Sequence, residues 1–276
     1  MKYLFVVVLG ALLSCQPIGS STSSSDTAAQ GADDTSFFEP EKQADISQSP
    51  APVDIDSVLD YVSDQTFLLG SYRIWEKQDD PAVSLRGEWL QFYRDGGVYK
   101  VDDAEVMMKE GYDDCAGVKT KIIESDRNAS FLLRIPGVTK KEVPAITVPR
   151  THIWPGEHVP FEWAGESYTL QATGKINATQ VVTNDAGKEE VFHDVSDYRL
   201  ELVLPGGSRY LLAREDGFND TFVRIDFVGD LDGDNKPDFV LNAPRDYEEE
   251  RVLVILSSTV TKGKVRLYEA CRQFDC

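Results

Sequence analysis

The stretch VGDLDGDNKPDFVLNAP, residues 228–244, places Asp230, Asp232, Asp234 and Asp238 at alternating and near-alternating positions between two runs of strand-forming residues. Carboxylates packed this closely repel one another, and that costs stability unless something neutralises them. A hard divalent cation does so by gathering several oxygens at about 2.3–2.6 Å from a loop curled around one point. Counting from Asp230 as position 1, the acids fall at positions 1, 3, 5 and 9, and Lys236 stands at position 7, where a backbone carbonyl commonly coordinates. Position 6 has to turn sharply; Asn235 sits there, and Asn is the non-glycine residue that best tolerates a left-handed backbone. Pro237 stiffens the exit and biases Lys236 toward an extended conformation. Position 12 is Leu241 and not a bidentate Glu, and the flanks read as strands, so the loop is no EF-hand.

The loop resembles the calcium loop D-x-D-x-D-G-x-x-D of FG-GAP and VCBS type repeats, which joins two strands of a sheet. FVRIDFVGDLDGDNKPDFVLNAPRDYEEERVLVIL repeats that order: strand, aspartate loop, strand, an Asn-Ala-Pro turn, then another strand. The resemblance implies calcium held by the side chains of Asp230, Asp232, Asp234 and Asp238 and by the Lys236 carbonyl. It covers only about 35 to 45 residues of the chain, and Asn235 departs from the family's Gly. A second copy of the motif is missing, which argues against a propeller, since such folds need several units to close.

The elements around the loop are mostly strands. TFLLGSYRIWE, EWLQFYRDGGVYKV, ASFLLRIPGV, ESYTLQATGKI, YRLELVLPGGSRYLLARE and TFVRIDFVG alternate apolar and polar residues, with Asp-Gly, Asp-Gly-Gly and Pro-Gly-Gly turn signals between them. The expected fold is all-β, mostly antiparallel sheets in a sandwich- or barrel-like arrangement. One short N-terminal helix is expected in VDIDSVLDYVSD, where Val53, Val58, Leu59 and Val62 fall at near-helical spacing. The β domain is expected over residues 51–276, with a weak seam at 143–160, where four prolines interrupt the pattern.

The N-terminal stretch points to an exported chain. MKYLFVVVLGALLSC has a basic start at Lys2 and an apolar run too short to span a bilayer, which suits a signal peptide over residues 1–14. Its end, Leu12-Leu13-Ser14-Cys15, resembles the lipobox of bacterial lipoproteins. That resemblance implies Cys15 as the acylated mature N-terminus, anchored in the cell-envelope membrane through its lipid, since several acyl chains hold stably where one does not. Gln16 follows the cysteine in place of the Asp that marks inner-membrane retention in enteric bacteria, which favours the outer membrane. Residues 15–50 are rich in serine and acids with no periodic apolar face, the composition of a disordered tether. Cys115, Cys271 and Cys276 are disulfide candidates in an oxidising envelope, with the pairing left open.

Composition removes one class of partner. With 47 acidic against 28 basic residues and a net charge of -19, the chain is a poor partner for phosphate backbones, so nucleic acid is excluded. No catalytic motif stands out: there is no G-x-S-x-G elbow, no H-E-x-x-H and no phosphate-cradling glycine loop. His152, His158 and Glu157 read better as loop residues than as zinc ligands, and RDYEEER (245–251) reads as a solvated turn. Trp75, Trp89, Trp154 and Trp163 are candidates for a sugar platform, with burial in a core the commoner fate. The expected function is a non-enzymatic envelope lipoprotein with a calcium-stabilised β domain that binds or scaffolds a protein or glycan. The alternative is a hydrolase of cell-wall or carbohydrate material using paired carboxylates.

Overall fold

A computed structural model describes residues 58–183, 187, 189–261 and 263–274. The expected signal segment, Cys15, the tether and Cys276 lie outside the described residues. Residues 55–276 form one compact unit. Along it run β1 (Val58–Val62), β2 (Thr66–Leu68), β3 (Gly70–Ile74), β4 (Leu90–Asp95), β5 (Val98–Asp103), β6 (Val106–Asp113), β7 (Val118–Ser125), β8 (Ala129–Leu133) and β9 (Lys141–Val143). Then come β10 (Ala145–Ile146), β11 (His158–Trp163), β12 (Glu166–Thr183), β13 (Glu189–Val203), β14 (Arg209–Gly217), β15 (Arg224–Gly229), β16 (Asp238–Asn242), β17 (Glu249–Ile255) and β18 (Lys264–Gln273).

Four sheets result, and none closes into a barrel: β1-β18-β17-β16-β15-β10, β11-β12-β13-β14, β2-β8-β4-β5-β9 and β3-β7-β6. Their ladders are antiparallel except for β1 on β18. The fold is all-β, as the alternation and turn signals predict.

The six-stranded sheet is buried on both faces. Ile225, Phe239, Leu241, Leu253 and Leu267 pack with Leu170, Leu200 and Leu202 of the four-stranded sheet. Phe227, Val240, Val252, Val254 and Tyr268 pack with Leu68, Phe92, Phe131 and Leu133 of the five-stranded sheet. Strands covered on both sides need near-continuous apolar runs, which is why β16 and β17 read Phe-Val-Leu and Val-Leu-Val-Ile instead of alternating. A third cluster, Leu85, Trp89, Ile123 and Leu132, joins the five- and three-stranded sheets.

The expected N-terminal helix is not formed. Its described part, Val58–Val62, is strand β1, and the remaining described helical elements are three short 3-10 turns. The spacing misleads for a physical reason. An edge strand of a sheet covered on both faces sends Leu59 into one core and Val62 into the other, three residues apart, which imitates one turn of helix. The proline-rich stretch at 143–160 is where the chain changes sheets, leaving β9 at Val143, adding β10 to the edge of the central sheet beside β15 and entering β11 at His158.

RDYEEER is also not a solvated turn. Glu249 opens β17, and Glu249 and Arg251 are 5% and 2% exposed. Arg251 is clamped between Glu215 and Glu269, which it meets at 2.5 Å each, and also donates to the Ala243 carbonyl at 3.0 Å. Cys115 and Cys271 are both disulfide-bonded.

Candidate metal centre

The aspartate loop closes the β15–β16 hairpin of the central sheet, between Gly229 and Asp238, which are register partners. Gly229 is required by contact: a Cβ there would lie 2.3 Å from both the Pro144 carbonyl and the Phe227 ring. Asn235 has φ 63, the left-handed turn its position predicts, and Gly233 turns at φ 89.

Three carboxylates converge. Oxygens of Asp230, Asp232 and Asp238 lie within 4.8 Å of one another. Ligands at about 2.3–2.6 Å on opposite sides of one calcium stand about 5 Å apart, so this spacing fits a single ion. Asp238 is fully buried and Asp230 is 7% exposed. Asp234 stands outside this convergent set. Its Oδ1 accepts the Lys236 N–H at 2.8 Å, while its buried Oδ2 makes no hydrogen bond. The Lys236 ammonium stands 3.6 Å from that oxygen, near enough for an ion pair and too far for a hydrogen bond. Lys236 itself is exposed.

Backbone N–H groups hold the loop in shape. Asp230 accepts from Gly233 at 2.5 Å and Asn235 at 3.1 Å, and Asp232 accepts from Asp234 at 3.2 Å. Asp238 accepts from Leu231 at 2.7 Å and from the N–H and hydroxyl of Ser257 at 2.8 and 3.0 Å. These bonds are short-range apart from those to Ser257, and they are how aspartates stabilise turns. Burial pushes the Asp238 carboxyl up to about 7; the Ser257 and Leu231 donors pull the other way, and the neighbouring Asp232 charge adds to the rise. A carboxylate in that position gains most from a cation that lets it ionise.

The structure adds residues with no ligand spacing in the sequence. Ser258 donates its hydroxyl to Asp232, so the segment after β17 closes over the loop together with Ser257. The Trp163 indole donates to the Asn235 carbonyl at 3.0 Å, tying the loop to the four-stranded sheet. Lys141, at the start of β9, brings its ammonium to 3.9 Å from Asp230. Their sequence distances from the loop give no signal; only the meeting of three sheets brings them here.

The other candidates fall elsewhere. His152 and His193 meet Trp154 edge-on, with ring centroids 6.1 and 5.0 Å from it, and Glu157 pairs with Arg150. His158 and Glu157 line a shallow depression with Gln171 and Arg209 on the outer face of the four-stranded sheet. Trp89, Trp154 and Trp163 are buried, and only Trp75, 64% exposed, faces solvent. Compared with protein-family models, with curated proteins and with solved structures, the chain gives no match.

Proposed function

We propose that this chain is a non-enzymatic, lipid-anchored protein of the bacterial envelope, with outer-membrane placement favoured, whose β domain carries a structural calcium site and binds or scaffolds a protein or glycan. The observation that carries the calcium reading is the convergence of Asp230, Asp232 and Asp238 at the end of a hairpin in the central sheet. A cation there neutralises their repulsion and ties β15 and β16 to the Ser257–Ser258 segment that reaches the same carboxylates. Asp234 and the Lys236 carbonyl complete the ligand set in the loop pattern, with a modest movement of Asp234 inward. An affinity in the range of about 10⁻⁴–10⁻³ M suits an extracellular module without a position-12 Glu.

Two experiments test this reading. Calorimetric titration of the purified chain with calcium is expected to show one site, lost in Asp230→Ala; no heat at millimolar calcium contradicts the cation site. Membrane fractionation of cells expressing the full chain is expected to find it with the envelope membranes, and Cys15→Ser in the soluble fraction. A soluble wild-type protein contradicts the anchor. The partner is sought by cross-linking in whole cells.

A further inference from the structure

Three N-x-Ser/Thr triplets occur in the described chain: Asn128-Ala129-Ser130, Asn177-Ala178-Thr179 and Asn219-Asp220-Thr221. Such a triplet is an acceptor for N-linked glycan in an exported protein when its asparagine is presented on the surface. The fold treats the three very differently.

At Asn219 the acceptor atom is already engaged: its Nδ2 donates to Asp246 at 2.7 Å, beside a backbone bridge between the same two residues. A sugar on that nitrogen would leave it a single N–H and crowd a contact that holds the start of the 246–249 turn. At Asn177, in the bulged part of β12, the Oδ1 accepts from Ser196 at 3.4 Å, and the triplet's hydroxyl, Thr179 Oγ1, is bonded to His193 Nδ1 at 2.8 Å. At Asn128 both groups are free. Asn128 and Ser130 are exposed, and neither side chain makes a hydrogen bond among the described residues.

The turn around Asn128 is meanwhile firmly held from behind. Asp126 accepts from Gln91 Nε2 at 2.8 Å and from the Glu105 N–H at 3.0 Å, and its own N–H donates to the Glu105 carbonyl at 3.2 Å. Ser125 donates its hydroxyl to the Arg127 carbonyl at 2.8 Å. The β7–β8 connection therefore keeps its shape with its inner groups satisfied, and projects one unencumbered carboxamide into solvent. An acid two positions before the asparagine, Asp126, is present here; Lys175 and Gly217 take that place in the other two triplets.

We infer that Asn128 is an N-glycosylation site, taking an oligosaccharide from a lipid-linked diphosphate donor. In the transfer, carried out by an oligosaccharyltransferase of the envelope, Asn128 Nδ2 forms a bond to the anomeric carbon of the first sugar. The bond from that carbon to the diphosphate oxygen breaks, the lipid diphosphate leaves, and the displaced amide proton passes to a base of the transferase. No oxidant or reductant is involved. The glycan then stands on the β7–β8 connection joining the three- and five-stranded sheets, with its attachment atom free of structural work.

The test is peptide mass analysis of the full chain purified from the cells that naturally make it. Cleavage after Arg127 and Arg134 releases residues 128–134, and this peptide is expected to carry a hexose or N-acetylhexosamine series that yields sugar fragment ions. Asn128→Gln and Ser130→Ala are each expected to remove that mass from the intact protein, while Asn219→Gln leaves it in place. Recovery of the 128–134 peptide only in unmodified form overturns the inference, as does a sugar found on Asn177 or Asn219 with Asn128 bare.

Discussion

Two groups of carboxylates sit in this domain, and they are neutralised in opposite ways. Glu215 and Glu269 are 7% and 8% exposed and share one internal cation, the Arg251 guanidinium, at 2.5 Å from each. Burial still lifts the Glu215 carboxyl above its ordinary value, with Arg251 pulling it back. Asp230, Asp232 and Asp238 also converge, but their nearest ammonium among the described residues, that of Lys141, stands 3.9 Å from Asp230 and is not hydrogen-bonded to it. Backbone N–H groups and two serine hydroxyls supply the rest. The glutamate pair is complete within the chain. The aspartate triad has mostly dipoles where the glutamates have a full charge at hydrogen-bond distance, and that is the gap the proposed divalent ion would fill.

The sharpest way to break this comparison is to remove the internal cation. Arg251→Ala leaves two buried glutamates without a partner, and such a loss costs about 3–5 kcal/mol. Urea unfolding should show it as a lower midpoint that calcium does not restore. A cost below about 1 kcal/mol would mean that the pair is not held as an ion cluster.

The second effect is a pH dependence of the cation-free state. The unfolded chain releases the Asp238 proton near the ordinary value of 3.8, whereas burial in the fold keeps it to about 7. Between these values the unfolded state binds fewer protons, so raising the pH favours unfolding. The penalty reaches about 2–4 kcal/mol by pH 7.5. It is read as the difference between wild type and Asp238→Asn in chelator, which cancels the opposite trend of the ion-paired aspartates. With saturating calcium the difference should reverse sign, because the ion holds Asp238 ionised. Calcium affinity should accordingly rise from pH 5.5 to 7.5.

Asp238→Asn itself should cost about 1–3 kcal/mol in chelator near pH 5, since the amide cannot accept every hydrogen bond from Leu231 and Ser257. The variant should also lose its calcium response. The smallest effect is expected at Lys141. Lys141→Met removes the one ammonium beside Asp230 among the described residues and should tighten calcium binding by about 0.2–1 kcal/mol, a few-fold at most, in a calorimetric titration. Weaker binding would mean that Lys141 supports the loop and does not compete for it.

Much of this was legible from residue spacing. The alternation in β11, buried at every second residue, reports a strand with one face on a core, and the aspartate pattern reports a loop that turns at Asn235. Spacing failed where burial has two sides. Leu59 and Val62 enter different cores and so imitate a helix, and the charged run at 245–251 hides Arg251, whose partners Glu269 and Glu215 lie 18 and 36 residues away, and Glu249, which pairs with Arg245 of the same run as β17 carries it into the sheet. At the loop, the four aspartates were visible, but the choice of three that converge depends on which way each carboxylate bonds to its own backbone. Ser257, Ser258, Trp163 and Lys141 arrive through tertiary folding and leave no local mark.

Thermal unfolding of residues 50–276, with 5 mM calcium and with chelator, tests the central claim most directly. At an affinity near 0.5 mM the ion contributes about 1.4 kcal/mol, which for a domain of this size raises the midpoint by about 3–5 °C. The rise should vanish in Asp232→Ala and in Asp230→Ala, while Arg251→Ala, where it folds, keeps it on a lower baseline. An unchanged midpoint in wild type across the millimolar range would contradict the cation site, and would leave the aspartates as an acidic turn satisfied by its own N–H groups.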